Sequence, residues 1–97
     1  MTILDAQSKD TRRARVAVIG LLSRGAYIKA FYKRGSQDWR DLHLVIDGQR
    51  YEANRIVLKG IAESGKTTIV DNRRAGFVCF YASNLSIKGR AYILKSS

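Results

Sequence analysis

The first quarter of the chain carries apolar residues at helical spacing. Asp10 or Thr11 can cap a helix N-terminus, and Ser23-Arg24-Gly25 is a typical C-terminal stop. One apolar stripe between these signals is formed by Ala14, Val18, Leu21 and Leu22. The pattern predicts a helix over Thr11–Arg24, within a segment 10–24, preceded by a flexible arm over residues 1–9.

The same segment also has features of a strand. Val16, Val18 and Ile19 are β-branched, and Gly20 weakens a helix interior. A strand therefore remains the competing interpretation of this segment.

From Gly25 onward the chain alternates with the two-residue period of strands. Leu42–Ile46 leads through Asp47-Gly48 into Gln49–Tyr51, which is the signature of a two-residue hairpin. A loop is predicted over Gly60–Gly65. The other predicted strands are Ala26–Lys33, Arg55–Lys59, Thr67–Val70, Phe77–Tyr81 and Ala91–Lys95.

These elements predict one domain over residues 1–97, of the α+β class and mainly β, with the sheet occupying residues 25–97. A single N-terminal helix cannot cover both faces of a flat sheet in a chain this short. We therefore expect a small antiparallel sheet of five to six strands, curled or closed into a barrel.

The stretch Arg73–Tyr81 joins a basic turn to the most aromatic segment of the chain. Strand alternation places Phe77, Cys79 and Tyr81 on one face and the intervening residues on the other. We expect a central strand here, with Tyr81 the best candidate for exposure. Phe77 and Phe80 fit the core equally well.

Part of this stretch resembles the RNA-recognition strand of the RRM family, whose pattern is [KR]-G-[FY]-[GA]-[FY]-[ILV]-x-[FY]. The positions in register are Arg73, Gly76, Phe77, Val78 and Phe80. Arg74 and Ala75 depart from the pattern, and the likeness covers one strand, so it does not identify a member of that family. It implies that arginines hold a phosphate while a ring stacks on a base.

Residues Gly60–Thr67 match the phosphate-loop pattern G-x-x-x-x-G-K-[ST]. A phosphate loop must open a helix, whereas the residues after it predict a strand. We attribute the match to chance.

The charge balance is strongly basic, with 18 Lys+Arg against 8 Asp+Glu and a net charge of +10. Basic residues repeatedly flank turn glycines, where the backbone can approach a phosphate closely.

Lys29 and Lys33 share a predicted strand face with Tyr27 and Phe31. Trp39 lies in a polar connection and is a candidate for base stacking, or alternatively a lid on the core. The predicted nucleic-acid-binding residues are Arg24, Lys29, Lys33, Arg34, Trp39, Arg40, Lys66, Arg73, Arg74, Tyr81, Lys88 and Arg90.

Cysteine and histidine usage argues against several other classes. Cys79 and His43 are single, which excludes an internal disulfide and a soft-metal cluster, so no metal, cofactor or catalytic residue is predicted. The longest apolar run, Val16–Leu22, is far shorter than the roughly 20 residues of a membrane span. We expect no membrane association, no signal peptide, and a location in the cytoplasm or, for a virus-encoded protein, inside the host cell.

The leading functional hypothesis is a non-enzymatic protein that binds nucleic acid, preferably single-stranded, with basic turns on phosphates and rings on bases. A second hypothesis is a virus- or plasmid-encoded inhibitor that docks on an acidic surface of a host protein. A third is a small metal-independent ribonuclease. An unpaired edge strand would also permit a homodimer, and the choice between DNA and RNA is left open.

Overall fold

The computed structural model describes residues 2–33, 38–69 and 76–84 of the chain. Four strands form one antiparallel sheet in the order β3-β2-β1-β4. In chain order the elements are α1 (Ile3–Ala6), α2 (Thr11–Ser23), β1 (Tyr27–Tyr32), β2 (Trp39–Ile46), β3 (Gln49–Tyr51), α3 (Arg55–Ile69), β4 (Gly76–Phe80) and a 3-10 turn (Ala82–Asn84).

Helix α2 confirms the helical interpretation of the N-terminal pattern. The Asp10 carboxylate accepts hydrogen bonds from the backbone N–H groups of Arg12 and Arg13, at 3.0 and 3.3 Å, and so caps the helix. Arg24 is the C-terminal cap. The buried face consists of Ala14, Ala17, Val18, Ile19 and Leu22.

The predicted hairpin is also confirmed. Ile46 pairs with Gln49, and the two residues between them, Asp47 and Gly48, have φ angles of 51° and 78°. Positive φ at both central positions is the geometry of a type I′ turn, which matches the twist of the two strands it joins.

A β-bulge interrupts the pairing of β1 with β2. Lys29 pairs with His43 and Phe31 with Arg40, so two residues of β2, Asp41 and Leu42, lie opposite the single residue Ala30. Asp41 is the residue in a left-handed conformation, with φ of 58°.

The strand predictions between residues 55 and 69 are wrong, as is the loop predicted over Gly60–Gly65. One helix, α3, runs through this segment. Asn54 caps it, because its side-chain oxygen accepts a hydrogen bond from the backbone N–H of Val57 at 3.2 Å. The buried positions recur at helical spacing: Val57, Leu58, Ile61, Ala62 and Gly65. The phosphate-loop match therefore lies inside a helix, where backbone N–H groups beyond the first turn bond to carbonyls of the helix itself.

The α+β class and the curled antiparallel sheet agree with the prediction, but the fold is not mainly β, and the sheet differs from the expected one in two ways. Over the described ranges it has four strands and is accompanied by three α-helices, instead of five to six strands and one helix. The aromatic strand β4 is not central, because within those ranges it pairs with β1 alone and ends the strand order. The last residue of the predicted strand Thr67–Val70 and the whole predicted strand Ala91–Lys95 lie outside the described residues.

The core lies between the sheet and the helices. Its largest fully buried side chains are Trp39, Phe80, Leu22, Ile28, Leu44, Leu58, Ile61 and Val18, drawn from β1, β2, β4, α2 and α3. Because the helices cover this face of the sheet, a closed barrel is not needed to enclose a core.

The N-terminal segment is a helix instead of a flexible arm. Thr2 and Asp5 form a capping box at the start of α1, and Ala6 is fully buried. Asn54 ties the segment to the start of α3: its backbone N–H donates to the carbonyl of Ala6, and its side chain donates to that of Ser8, both at 2.8 Å.

Candidate nucleic-acid interface

The face of the sheet opposite the helices carries aromatic side chains from two adjacent strands. The register pairs Ile28 with Phe80 on the core side, so Lys29, opposite Cys79, and Phe31, opposite Phe77, point away from the core. We call this side the outer face. It is defined by Tyr27, Lys29, Phe31, Arg40, His43, Phe77, Cys79 and Tyr81.

The four rings of the outer face form two cross-strand pairs. The centroids of Tyr27 and Tyr81 are 4.8 Å apart with an interplanar angle of 34°, and those of Phe31 and Phe77 are 5.3 Å apart at 80°. Phe77 is nevertheless 62% exposed and Tyr81 47% exposed. The two pairs support each other across the strands and still present ring surface to a ligand.

Lys29 lies between the two ring pairs. Its ammonium nitrogen is 5.1 Å from the centroid of Phe77, within the range of a cation–π interaction. Arg40, opposite Phe31 in the register and exposed, adds a second positive charge on the same face. Lys33 is exposed one residue past the end of β1. Cations and flat rings are therefore neighbours here.

A polar cluster occupies the bulge at the side of the rings. The guanidinium of Arg50 lies 2.7 Å from the Asp41 carboxylate and 3.0 Å from that of Glu52. The hydrogen bond from Arg50 lowers the pKa of Asp41, against a smaller opposing effect of desolvation. The effect is reciprocal, since the hydrogen bond to Asp41 raises the pKa of Arg50.

His43 is held beneath this cluster and is only 6% exposed. Its Nδ1 lies 2.6 Å from the backbone carbonyl oxygen of Asp41, and because a carbonyl only accepts, Nδ1 carries the proton. A buried histidine held in this way suits a structural polar contact better than general acid–base catalysis.

Tyr81 is affected by its neighbours on the face. Partial burial raises the pKa of its phenol, and the proximity of Cys79 and Tyr27 adds to the increase. The hydroxyl therefore stays protonated through the neutral range, and Tyr81 acts as an uncharged ring.

The structure brings four of the predicted binding residues to or beside the outer face: Lys29, Lys33, Arg40 and Tyr81. Arg24 is exposed at the end of α2, and Lys66 belongs to α3, which packs on the opposite side of the sheet. Five others lie outside the described residues: Arg34, Arg73, Arg74, Lys88 and Arg90.

Trp39 is not available for stacking on a base, because it is only 1% exposed. It packs among the core rings of Tyr32 and Phe80, and its Nε1 donates a hydrogen bond to the Glu63 carboxylate at 3.0 Å. The expectation of an exposed tryptophan was wrong, and the alternative, a side chain folded onto the core, is what the structure shows.

Two features of the site escaped the sequence analysis. For both Phe77 and Phe80 the choice between core and exposure was open; the register decides it, since Phe80 pairs with Ile28 on the core side and Phe77 lies on the other side. The Asp41–Arg50 ion pair was not predicted, because the hairpin alone does not show that the Arg50 side chain reaches back along β2 to Asp41.

Basic side chains are not confined to the outer face. Arg12 and Arg13 line an open depression of about 620 Å³ beside α1 and α2, together with Asp5, Asp10 and Val16. The two carboxylates partly offset the arginines there. The distinctive property of the outer face is thus the combination of cations with exposed rings.

Comparison of the chain with models of protein families, with curated protein sequences and with solved structures finds no match. Over residues 2–33, 38–69 and 76–84, no helix has the length and apolar character to cross a membrane. The same ranges contain no group of three or more His, Cys, Asp or Glu side chains arranged to hold a metal ion.

Proposed function

We propose that the protein binds single-stranded nucleic acid on the outer face. The observation that carries the proposal is the exposure of Phe77 and Tyr81, each paired with a ring of β1, on either side of Lys29. Base–aromatic stacking contributes about 1–3 kcal/mol per base and tolerates any sequence. A chain of net charge +10 adds attraction for the phosphates.

The exposure of the rings favours a single strand over a duplex as the ligand. Exposed rings on a sheet can stack only on bases whose faces are free, and the bases of a duplex already stack on each other. Lys29, Lys33 and Arg40 are placed to contact the phosphates that flank such bases. An intracellular location, cytoplasmic or inside a host cell, forms part of this proposal.

The two rival functions receive less support from the same contacts. An inhibitor that docks on an acidic protein would be favoured by an exposed Trp39 with Phe77 and Phe80 buried; Phe80 is buried, but so is Trp39, and Phe77 is exposed. A ribonuclease would need an accessible acid–base group, and His43 is buried with Nδ1 engaged. We therefore propose a binding protein without catalytic residues.

The proposal is tested by fluorescence anisotropy with labelled 20-nucleotide single strands of DNA and RNA and with the matching duplexes. We expect tighter binding of the single strands and a linear fall of log affinity with log salt concentration. Equal affinity for the duplexes, or no binding of any strand at low salt, would refute it. Capture of an acidic protein in place of a strand would favour the inhibitor.

A further inference from the structure

We infer that the outer face binds a unit of three nucleotides, with the first and third bases stacked on the two ring pairs and the middle base unstacked. This inference rests on the proposed function and specifies its ligand. It follows from the spacing of the rings and from the residues between them.

The ring pairs are too far apart for adjacent stacked bases. Tyr27 and Phe31 are four residues apart on β1, which at a rise of about 3.3 Å per residue places them roughly 13 Å apart. Phe77 and Tyr81 repeat this separation on the neighbouring strand. Stacked nucleotides advance by about 3.4 Å per step, so an extended strand advancing by roughly twice that distance spans the gap in two steps.

Over the described residues, the middle of the face offers no exposed ring. Lys29 and Cys79 are paired across the strands between the two aromatic pairs, and the next residue toward β2, His43, is buried. Among the described residues a middle base therefore meets no ring to stack on, whereas the Lys29 ammonium, over the Phe77 ring, is placed to contact a flanking phosphate. The occupant is then an extended strand in which every second base contacts the protein.

The test uses isothermal titration at low salt with thymidine oligonucleotides of two, three and twenty residues, and with trinucleotides that carry one abasic sugar. We expect the abasic sugar to weaken binding about fivefold or more at either end and less than twofold in the middle. We also expect the dinucleotide to bind at least fivefold more weakly than the trinucleotide.

Two variants assign the ends of the strand to the ring pairs. In Phe77→Leu, an abasic sugar at one end should cause no further loss, while the opposite end remains sensitive; in Tyr81→Leu the two ends should exchange behaviour. Both residues are exposed, so the fold should persist, and Ile56→Leu on α3 is the matched control because Ile56 is also exposed. The pair of variants thereby reports the direction of the strand.

The outcomes separate the inference from the proposed function. If the 20-nucleotide strand binds but an abasic sugar in the middle of the trinucleotide weakens binding as much as one at either end, the inference is overturned and the binding function stands. The inference is also overturned, and the binding function stands, if the dinucleotide and the trinucleotide bind equally well. The same holds if the trinucleotide shows no detectable binding at millimolar concentration. If neither the 20-nucleotide strand nor a 20-residue oligouridine binds, both are overturned; if only the oligouridine binds, the short oligonucleotides are made from uridine.

Discussion

Phe77 on β4 lies directly opposite Phe31 on β1, with ring centroids 5.3 Å apart and planes at 80°, and yet 62% of its surface is open to solvent. Exposed apolar rings clustered on one face, unlike single exposed apolar residues, mark a candidate binding site. We expect Phe77→Ala to weaken binding of a single strand by about 1–3 kcal/mol, roughly 5- to 150-fold, because one stacking surface is lost. Anisotropy titration measures the change.

The control for this substitution is Ile56→Ala. Ile56 is an apolar residue that is even more exposed, at 73%, but it belongs to α3 on the other side of the sheet. It should leave the affinity unchanged. If both variants lose the same amount of affinity for a single strand, the loss in Phe77→Ala is not due to a missing stacking surface.

Lys29 is expected to act on phosphates. Its ammonium lies 5.1 Å from the Phe77 ring, between the two aromatic pairs. Lys29→Gln should weaken binding of all sequences to a similar extent and should lower the slope of log affinity against log salt by about 1. Salt titrations check this, with Lys59→Gln, an exposed lysine of α3, as the control. A full slope in Lys29→Gln would contradict the assignment.

Trp39 should matter for stability and not for binding. Its ring is buried against Tyr32 and Phe80, and its N–H donates to Glu63. Trp39→Ala should lower the free energy of unfolding by about 3–5 kcal/mol, because the cavity and the lost burial both act in the core. Trp39→Phe should cost less, and under conditions where it remains folded it should bind a single strand as tightly as the parent protein. Urea unfolding and anisotropy measure the two quantities.

The Asp41–Arg50 ion pair should contribute to the loss of folding stability at low pH. The pKa of Asp41 is lower in the folded protein than in the unfolded chain, so the pair stabilises above the unfolded pKa, and that stability is lost as the pH falls through the folded pKa. Asp41→Asn should therefore lose less stability between pH 7 and pH 3 than the parent protein does. Asparagine is suitable because, like aspartate, it tolerates the positive φ at this position.

Asp47→Asn provides the control for pH dependence. It makes the same chemical change at a second position with positive φ, in the hairpin turn. Urea unfolding at the two pH values compares the variants, and we expect the loss of stability between pH 7 and pH 3 to be smaller in Asp41→Asn than in Asp47→Asn. If Asp41→Asn behaves identically, the ion pair does not contribute.

Gly60 tests the helix that replaced the predicted loop. It lies in the middle of α3, and a Cβ atom added there would meet no other atom within 4 Å. Gly60→Ala should raise the free energy of unfolding by about 0.5–1 kcal/mol, since alanine is the better helix residue. Gly48→Ala should lower it, because Gly48 has a φ of 78°. A destabilised Gly60→Ala variant would contradict a helix at this position.

Local signals predicted those elements whose caps and turns lie in the sequence itself. Asp10 predicted the start of helix α2, and Asp47-Gly48 predicted the turn of the hairpin. The structure contains both elements. Helix α3 was missed because two glycines and the β-branched residues after Lys66 favour loop and strand, whereas packing of its apolar stripe on the sheet decides for the helix. Asn54 and the helical spacing from Val57 to Ile61 were the signals that could have revealed it.

The candidate site was only partly predictable for a different reason. Alternation along β1 correctly assigned Tyr27, Lys29 and Phe31 to one face, because it depends only on the period of a strand. Which ring faces which across the strands depends on register, and register is a tertiary property. The position of β4 beside β1, and hence the two ring pairs, could not be derived from either segment alone.

The bulge at Asp41 determines which side of the protein the tryptophan occupies. In an uninterrupted strand, residues 39 and 43 would share a side, so Trp39 would join His43 among the outward rings and Arg40 would enter the core. One inserted residue reverses that parity. The number of residues between Trp39 and His43 is thus coupled to the bulge: a related chain shorter by one residue there should lack the bulge and still carry its tryptophan on the core side, because residues three apart in a regular strand lie on opposite sides.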